Sequence, residues 1–251
     1  MVVKLTLSIS PKRVALVLTI VVICLSIVSL AGQFSRHILG HGSLFGLVRL
    51  FNVGDDSNIP TWYSSITLLF CSLLLAFIAT SQKIARARYI LHWKILSAIF
   101  LYLSIDEVAM IHENADAILG SSISRTGFLH YGWVAVGVPL TLIFVVSYLK
   151  FLAHLPRKTR LLFFVAGTIF VSGAIGAEIF AGRYDDLYST ENMTYAMITA
   201  VEEFCEMFGI VVFIYALLSY MKLNLTEVHF CIQKAAMQPK RRVINDGELQ
   251  R

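Results

Sequence analysis

The sequence predicts an all-α integral membrane protein with six transmembrane helices and both termini in the cytoplasm. Three observations predict it. The chain is 57% hydrophobic and only 15% charged over 251 residues, a balance too apolar for a soluble domain of this size. Six stretches, near 14–32, 62–81, 90–110, 130–151, 160–181 and 195–220, are long enough to cross about 30 Å of hydrocarbon at roughly 20 residues each. The basic residues, finally, are segregated. Seventeen of the 21 Lys and Arg fall in the N-terminal tail, 82–94, 150–160 and the C-terminal tail, leaving Arg36, Arg49, Arg125 and Arg183 on the other side. Such an excess marks the cytoplasmic face.

The acids show the opposite bias, with 13 of the 16 on the outer side or in outer helix ends. The net charge of +5 and the basic pI of about 9.0 therefore report topology and give no support to nucleic-acid binding. The partner that composition implies is the lipid bilayer, and a homo-oligomer or a membrane complex is compatible with it.

Taken in order, the first stretch follows Lys4, Lys12 and Arg13 and contains Ser29-Leu30-Ala31, which imitates a signal peptide. Its apolar run is longer than a signal core, so a retained anchor helix is expected. In the loop 33–61, Leu44, Leu47, Val48 and Phe51 share a helical face and predict a short helix at the membrane surface. "NVGDDSNIPTWYSS" is turn chemistry: Asp55 and Asp56 as turn formers, Pro60 opening the second span, Trp62 and Tyr63 at the interface. Gly132, Gly137 and Pro139 predict a kink in the outer half of the fourth span. In the fifth, Ser172, Gly173, Gly176 and Ala177 allow close helix packing beside Glu178. Residues 1–221 read as one six-helix domain and 222–251 as a cytoplasmic tail whose periodicity fits either an amphipathic helix or a short strand. Cys24, Cys71, Cys205 and Cys231 have no CxxC spacing and none can staple an outer loop.

"NIPTWYSS" before one apolar run and "LSIDEVAMIHE" at the end of the next resemble the patterns NIPTWxSS and LSxDExxxxHE of an uncharacterised family of bacterial multi-pass membrane proteins. The resemblance covers the second and third spans, and it implies a fold, a bacterial inner (plasma) membrane location and no activity.

Chemistry is concentrated in the carboxylates. At 100° per residue, Asp106 and Glu113 share a face of the third span with Tyr102 and Met110, Glu107 points about 100° away, and His112 pairs with Asp116 at i, i+4. On the sixth span Glu202, Glu203 and Glu206 occupy one arc with Thr199; the fifth adds Glu178, and His130 stands at the entry to the fourth. Six acids within spans cost on the order of 10 kcal/mol if uncompensated, comparable with the whole stability of an ordinary domain, about 5 to 15 kcal/mol. Glu206 lies about 16 Å inside its span by helical rise. The outer halves of the spans contain no Lys or Arg, so shared protons, a wet vestibule or bound cations must offset that cost.

Asp106, Glu107, His112, Asp116, His130, Glu178, Glu202, Glu203 and Glu206 form the donor set expected for a divalent metal ion, with Zn, Fe or Mn all compatible. The Glu-x-x-His spacing of di-metal bundles is absent. His112-Glu113-x-x-Asp116 instead places two candidate ligands one helical turn apart, with Glu113 beside them to activate water as the catalytic group. A metal-dependent membrane enzyme is the leading expectation, because the inner halves of the spans offer hydroxyls but no carboxylate to continue a conduction path. A cation- or proton-coupled transporter and a metal- or pH-sensing interaction subunit are the alternatives.

Overall fold

The computed structural model describes residues 10–41, 44–112, 114 and 131–224. Among them every regular element is helical, and five helices are long and apolar enough to cross a membrane. α1 (Pro11–His37) starts on a proline, whose missing N–H costs nothing in the first turn. After it come a 3₁₀ turn (Leu44–Gly46) and the short α2 (Leu47–Phe51). Here the structure departs from the single amphipathic helix that the spacing predicts. Left-handed backbone at Leu44, Phe45 and Gly46 breaks the face; Val48 is buried, while Leu44 and Leu47 remain exposed.

α3 (Ile59–Ile84) is started by Asn58, whose side chain accepts from Thr61 N at 3.1 Å, with Pro60 in the first turn. The same Asn58 amide donates to the carbonyls of Asn52 and Asp55, each at 2.6 Å, and so shapes the loop that precedes it. α4 (Ile90–Ala109) runs back antiparallel to α3 and packs on it closely. Ser72 and Ser97 donate to each other's carbonyls at 2.8 and 2.9 Å, and Ser65 and Ser104 repeat the exchange at 2.8 Å each, seven residues away on both helices. Small hydroxylated residues bring two apolar helices together where the surroundings offer no other partner.

α5 (Val134–His154) continues through Pro139 as one helix. α6 (Arg157–Val171), a π-helical turn (Ser172–Ala177) and α7 (Glu178–Leu187) follow without interruption and make up the fourth candidate span. α8 (Met193–Asn224) is the central helix, packed by α1, α3 and α6. Two glycines let α6 and its π turn approach it. A Cβ on Gly173 would lie 2.7 Å from Glu202 O, and one on Gly209 would lie 2.9 Å from Phe170 N. Gly176 meets nothing within 4 Å, so of the predicted small residues it is Gly173 that makes the close approach.

The two ends of the bundle differ. Around the end carrying Lys83, Arg88 and Lys158, the core is filled by Leu75, Ile78, Trp93, Phe151, Ile214 and Leu217, all essentially inaccessible. At the other end the helices diverge around polar side chains.

Candidate functional site: an acidic cavity

Between α3, α4, α5, the π turn, α7 and α8 lies a cavity of about 520 Å³. Seven carboxyl groups line it: Asp56, Asp106, Glu107, Glu178, Glu202, Glu203 and Glu206. His112 joins them, and among the described residues no Lys or Arg does.

Each acid arrives by a local route. α8 contributes three in little more than one turn, Glu202, Glu203 and Glu206, and Glu202 is 7% exposed. Glu178 is the first residue after the π turn, whose wider winding sets where α7 begins its faces. Asp106 and Glu107 sit in the last turn of α4. That helix ends at Met110, which adopts left-handed backbone (φ 52°) and turns the chain back on itself. Six residues after Asp106, His112 therefore returns to it. The His112 backbone N–H donates to Asp106 Oδ1 at 2.9 Å, and His112 Nδ1 meets Oδ2 at 2.9 Å.

The polar contacts continue across the cavity. The His112 ring stands edge-on to Trp133, with centroids 5.4 Å apart. Trp133 folds against Gly137, where a Cβ would lie 2.7 Å from the indole, and its Nε1–H donates to Glu178 Oε1 at 3.2 Å. Glu178 and Glu202 lie near each other, and Glu107 lies near Ser64. At the mouth, the Tyr131 hydroxyl donates to Asp185 Oδ2 at 3.3 Å and is 3.0 Å from the Tyr195 hydroxyl. Burial, with the Tyr195 bond and the nearby carboxylates, pushes the Tyr131 hydroxyl upward in pKa, so it stays protonated as a donor.

Of the residues picked out by helical spacing, Asp106, Glu107, His112, Glu178, Glu202, Glu203 and Glu206 all reach the cavity. Glu113, Asp116 and His130 lie outside the described residues. Glu107 faces the same space as Asp106 because the cavity wraps around the end of α4, whereas Tyr102, expected on the Asp106 face, is 51% exposed. Cys205 packs against Gly173, its Cβ 3.0 Å from where a glycine Cβ would stand, in keeping with a packing role. Asp56, which the sequence assigns to a turn, also lines the cavity, as do Trp133, Tyr131 and Tyr195, which helical spacing of the acids does not point to. The aromatic density of "HYGWVAV" was the available signal.

Among the described residues no three His, Cys, Asp or Glu side chains are gathered into a metal-binding group. Asp106 is taken up by His112, and Glu178 by Trp133.

Fold and site together define a multi-pass, all-helical membrane protein with an acid-lined cavity at one end of its bundle. Residues 14–221 match the domain of unknown function DUF8692, and the chain belongs to that family. No curated protein and no solved structure matches it.

Proposed function

We propose that the chain is a six-span protein of a bacterial inner membrane whose cavity faces the extracytoplasmic side and binds a divalent cation for a membrane-embedded enzyme. The observation that carries this reading is the convergence of seven carboxyls and His112 on one cavity without a described Lys or Arg in its lining. Like charges brought together away from bulk water repel strongly unless a counter-charge joins them. A cation from outside the polypeptide supplies it.

Carboxylate and imidazole donors suit Zn, Fe or Mn, with Glu202, Glu203, Glu206, Glu107 and His112 as the side chains best placed to hold the ion. The chemistry of the donor set fits a metal, although among the described residues no three of its side chains are gathered into a ligand group. A bound metal would supply water activation or redox chemistry. The chain's own contributions are the Asp106–His112 pair, which fixes the imidazole, and Trp133, which holds Glu178.

Six spans are supported by the reciprocal serine pairs that tie α4 to α3 along its length, although α4 carries Lys94, Asp106 and Glu107. The segregation of basic residues supports the orientation. An enzyme is favoured over a conduit because the cavity is backed by closely packed Leu75, Ile78, Ile214 and Leu217, and no described acid lies beyond it at the basic end. One observation favours a carrier instead: the π turn Ser172–Ala177 immediately before Glu178 is a winding defect of the kind found at functional sites, where a helix can change register.

Elemental analysis of protein purified without chelator, beside Glu202→Gln and Glu206→Gln variants, tests the reading. Stoichiometric metal that both substitutions remove is expected. Absence of metal from every sample would overturn it, and cation flux into proteoliposomes would favour the carrier.

A further inference from the structure

At the end of the bundle opposite the cavity, two turns meet on an aromatic platform. Tyr89, in the turn between α3 and α4, has its ring 5.2 Å from His154 and 5.9 Å from Phe151 at the end of α5. The Arg88 guanidinium lies 6.0 Å from the Tyr89 ring centre, and Arg160 reaches back to donate to Ala153 O at 3.2 Å. Two cations from different turns thus flank the Tyr89–His154 contact. The helices starting there, α4 and α6, have neither a side-chain cap nor an acid in the first turn, so their leading N–H groups and dipoles point at the same region.

A further observation bears on what this place takes. Among the described residues this end carries eleven Lys and Arg and no Asp or Glu, so nothing described there neutralises the cations. The chemistry that satisfies two guanidiniums beside two uncapped helix starts is a phosphate-type anion. The site borders a membrane-spanning bundle, and Leu91 beside it is 64% exposed, an apolar surface suited to acyl chain.

We infer that the Arg88–Tyr89–His154–Arg160 platform is a binding site for the headgroup of an anionic phospholipid in the adjoining leaflet. The site adds a specific lipid partner at the end remote from the acidic cavity, and its occupant is independent of whatever the cavity binds.

The full chain in detergent is titrated with phosphatidylglycerol, with phosphatidylcholine and with inorganic phosphate, following thermal stability and lipid retention by native mass spectrometry. Phosphatidylglycerol alone is expected to be retained and to raise the melting temperature. The pair Arg88→Gln/Arg160→Gln is expected to weaken that binding about thirtyfold, the factor that two headgroup-contacting cations of about 1 kcal/mol each provide. Lys12→Gln/Arg13→Gln, on α1 at the same end, should leave it within about threefold. Equal losses in the two variants would mean diffuse attraction and overturn the site. Equal retention of the two lipids by the unmodified chain, or protection by inorganic phosphate matching that by phosphatidylglycerol, would overturn it without reference to any variant.

Discussion

His112 gives Asp106 both a backbone and a ring contact, each at 2.9 Å, across a chain reversal at Met110. The carboxylate thereby caps the start of the segment beyond α4 and orients an imidazole at the cavity wall. A neutral imidazole that donates from Nδ1 carries its lone pair on Nε2. The first prediction concerns this pair. Asp106→Asn replaces one accepting oxygen by a donor facing Nδ1–H, and is expected to lower stability by about 1 to 3 kcal/mol. A double-mutant cycle with His112→Gln, read from thermal melts, should give a coupling of about 1 kcal/mol or more; a coupling near zero would show that the two groups do not act together.

The second prediction tests whether α4 is held in the bundle as a spanning partner of α3. Ser72→Ala and Ser65→Ala each remove a hydroxyl that donates to the facing carbonyl at 2.8 Å. Interhelical bonds of this kind contribute about 0.6 kcal/mol each on average, so either substitution should cost on the order of 0.5 to 1 kcal/mol, and the pair together about twice that. In addition, cysteines at Ser72 and Ser97 should crosslink readily. Failure to crosslink together with unchanged stability would remove the serine contacts as the support for a sixth span.

Much of this architecture is legible from the chain because apolar length and charge segregation are strong one-dimensional signals. α1, α3 and α8 each include the predicted spans, with extra turns at their ends, whereas α5 starts at Val134, later than the predicted 130–151, and runs on to His154. The meeting of Glu202, Glu203 and Glu206 in one cavity follows from helical spacing alone. What spacing could not show were contacts made where helical periodicity stops. The Asp106–His112 pair depends on left-handed backbone at Met110, a conformation that a non-glycine residue does not advertise. Asp56 reaches the cavity because Asn58 folds the preceding loop inward, and the broken helix at Leu44–Phe51 depends on backbone at Leu44, Phe45 and Gly46 in the same way. Trp133 reaches Glu178 only because Gly137 leaves room for the indole.

A third prediction addresses the counter-charge. In metal-stripped protein, Glu203→Gln removes one carboxyl from a crowd of seven and is expected to raise the melting temperature. Added back to stripped protein, a divalent cation such as Mn²⁺ at about 100 times its dissociation constant should stabilise the fold by about 2.7 kcal/mol, and the Gln variant should show a smaller rise. If chelator and Mn²⁺ both leave the melt unmoved while Glu203→Gln still raises it, shared protons and not metal neutralise the cavity.

The ion pair between Arg36 Nη2 and Glu191 Oε2 closes the acid-rich end at 2.8 Å, linking the end of α1 to the loop before α8. Glu191 is 70% exposed in its side chain, so water and salt screen the attraction. Glu191→Gln is accordingly expected to change stability by no more than about 0.5 kcal/mol, with the difference vanishing in high salt. A loss of several kcal/mol in a salt series would mean that this contact locks the bundle in a way its exposure does not suggest.

The last prediction separates two glycines of the same π turn. At Gly173 a Cβ would sit 2.7 Å from Glu202 O and 3.0 Å from Glu206 Cγ, so Gly173→Ala must push the π turn away from α8 at the point where the acids gather. A cost of about 1 to 3 kcal/mol is expected, the usual range for overpacking, with weaker cation-induced stabilisation because the acids of α8 shift relative to Glu178. At Gly176 a Cβ meets nothing within 4 Å. Gly176→Ala should therefore be neutral, or stabilising by up to about 1 kcal/mol as glycine gives way to a better helix former. Both effects are read from melts with and without added divalent cation. Similar costs at the two positions would mean that the winding of the turn, and not its contact with α8, sets the geometry of the cavity.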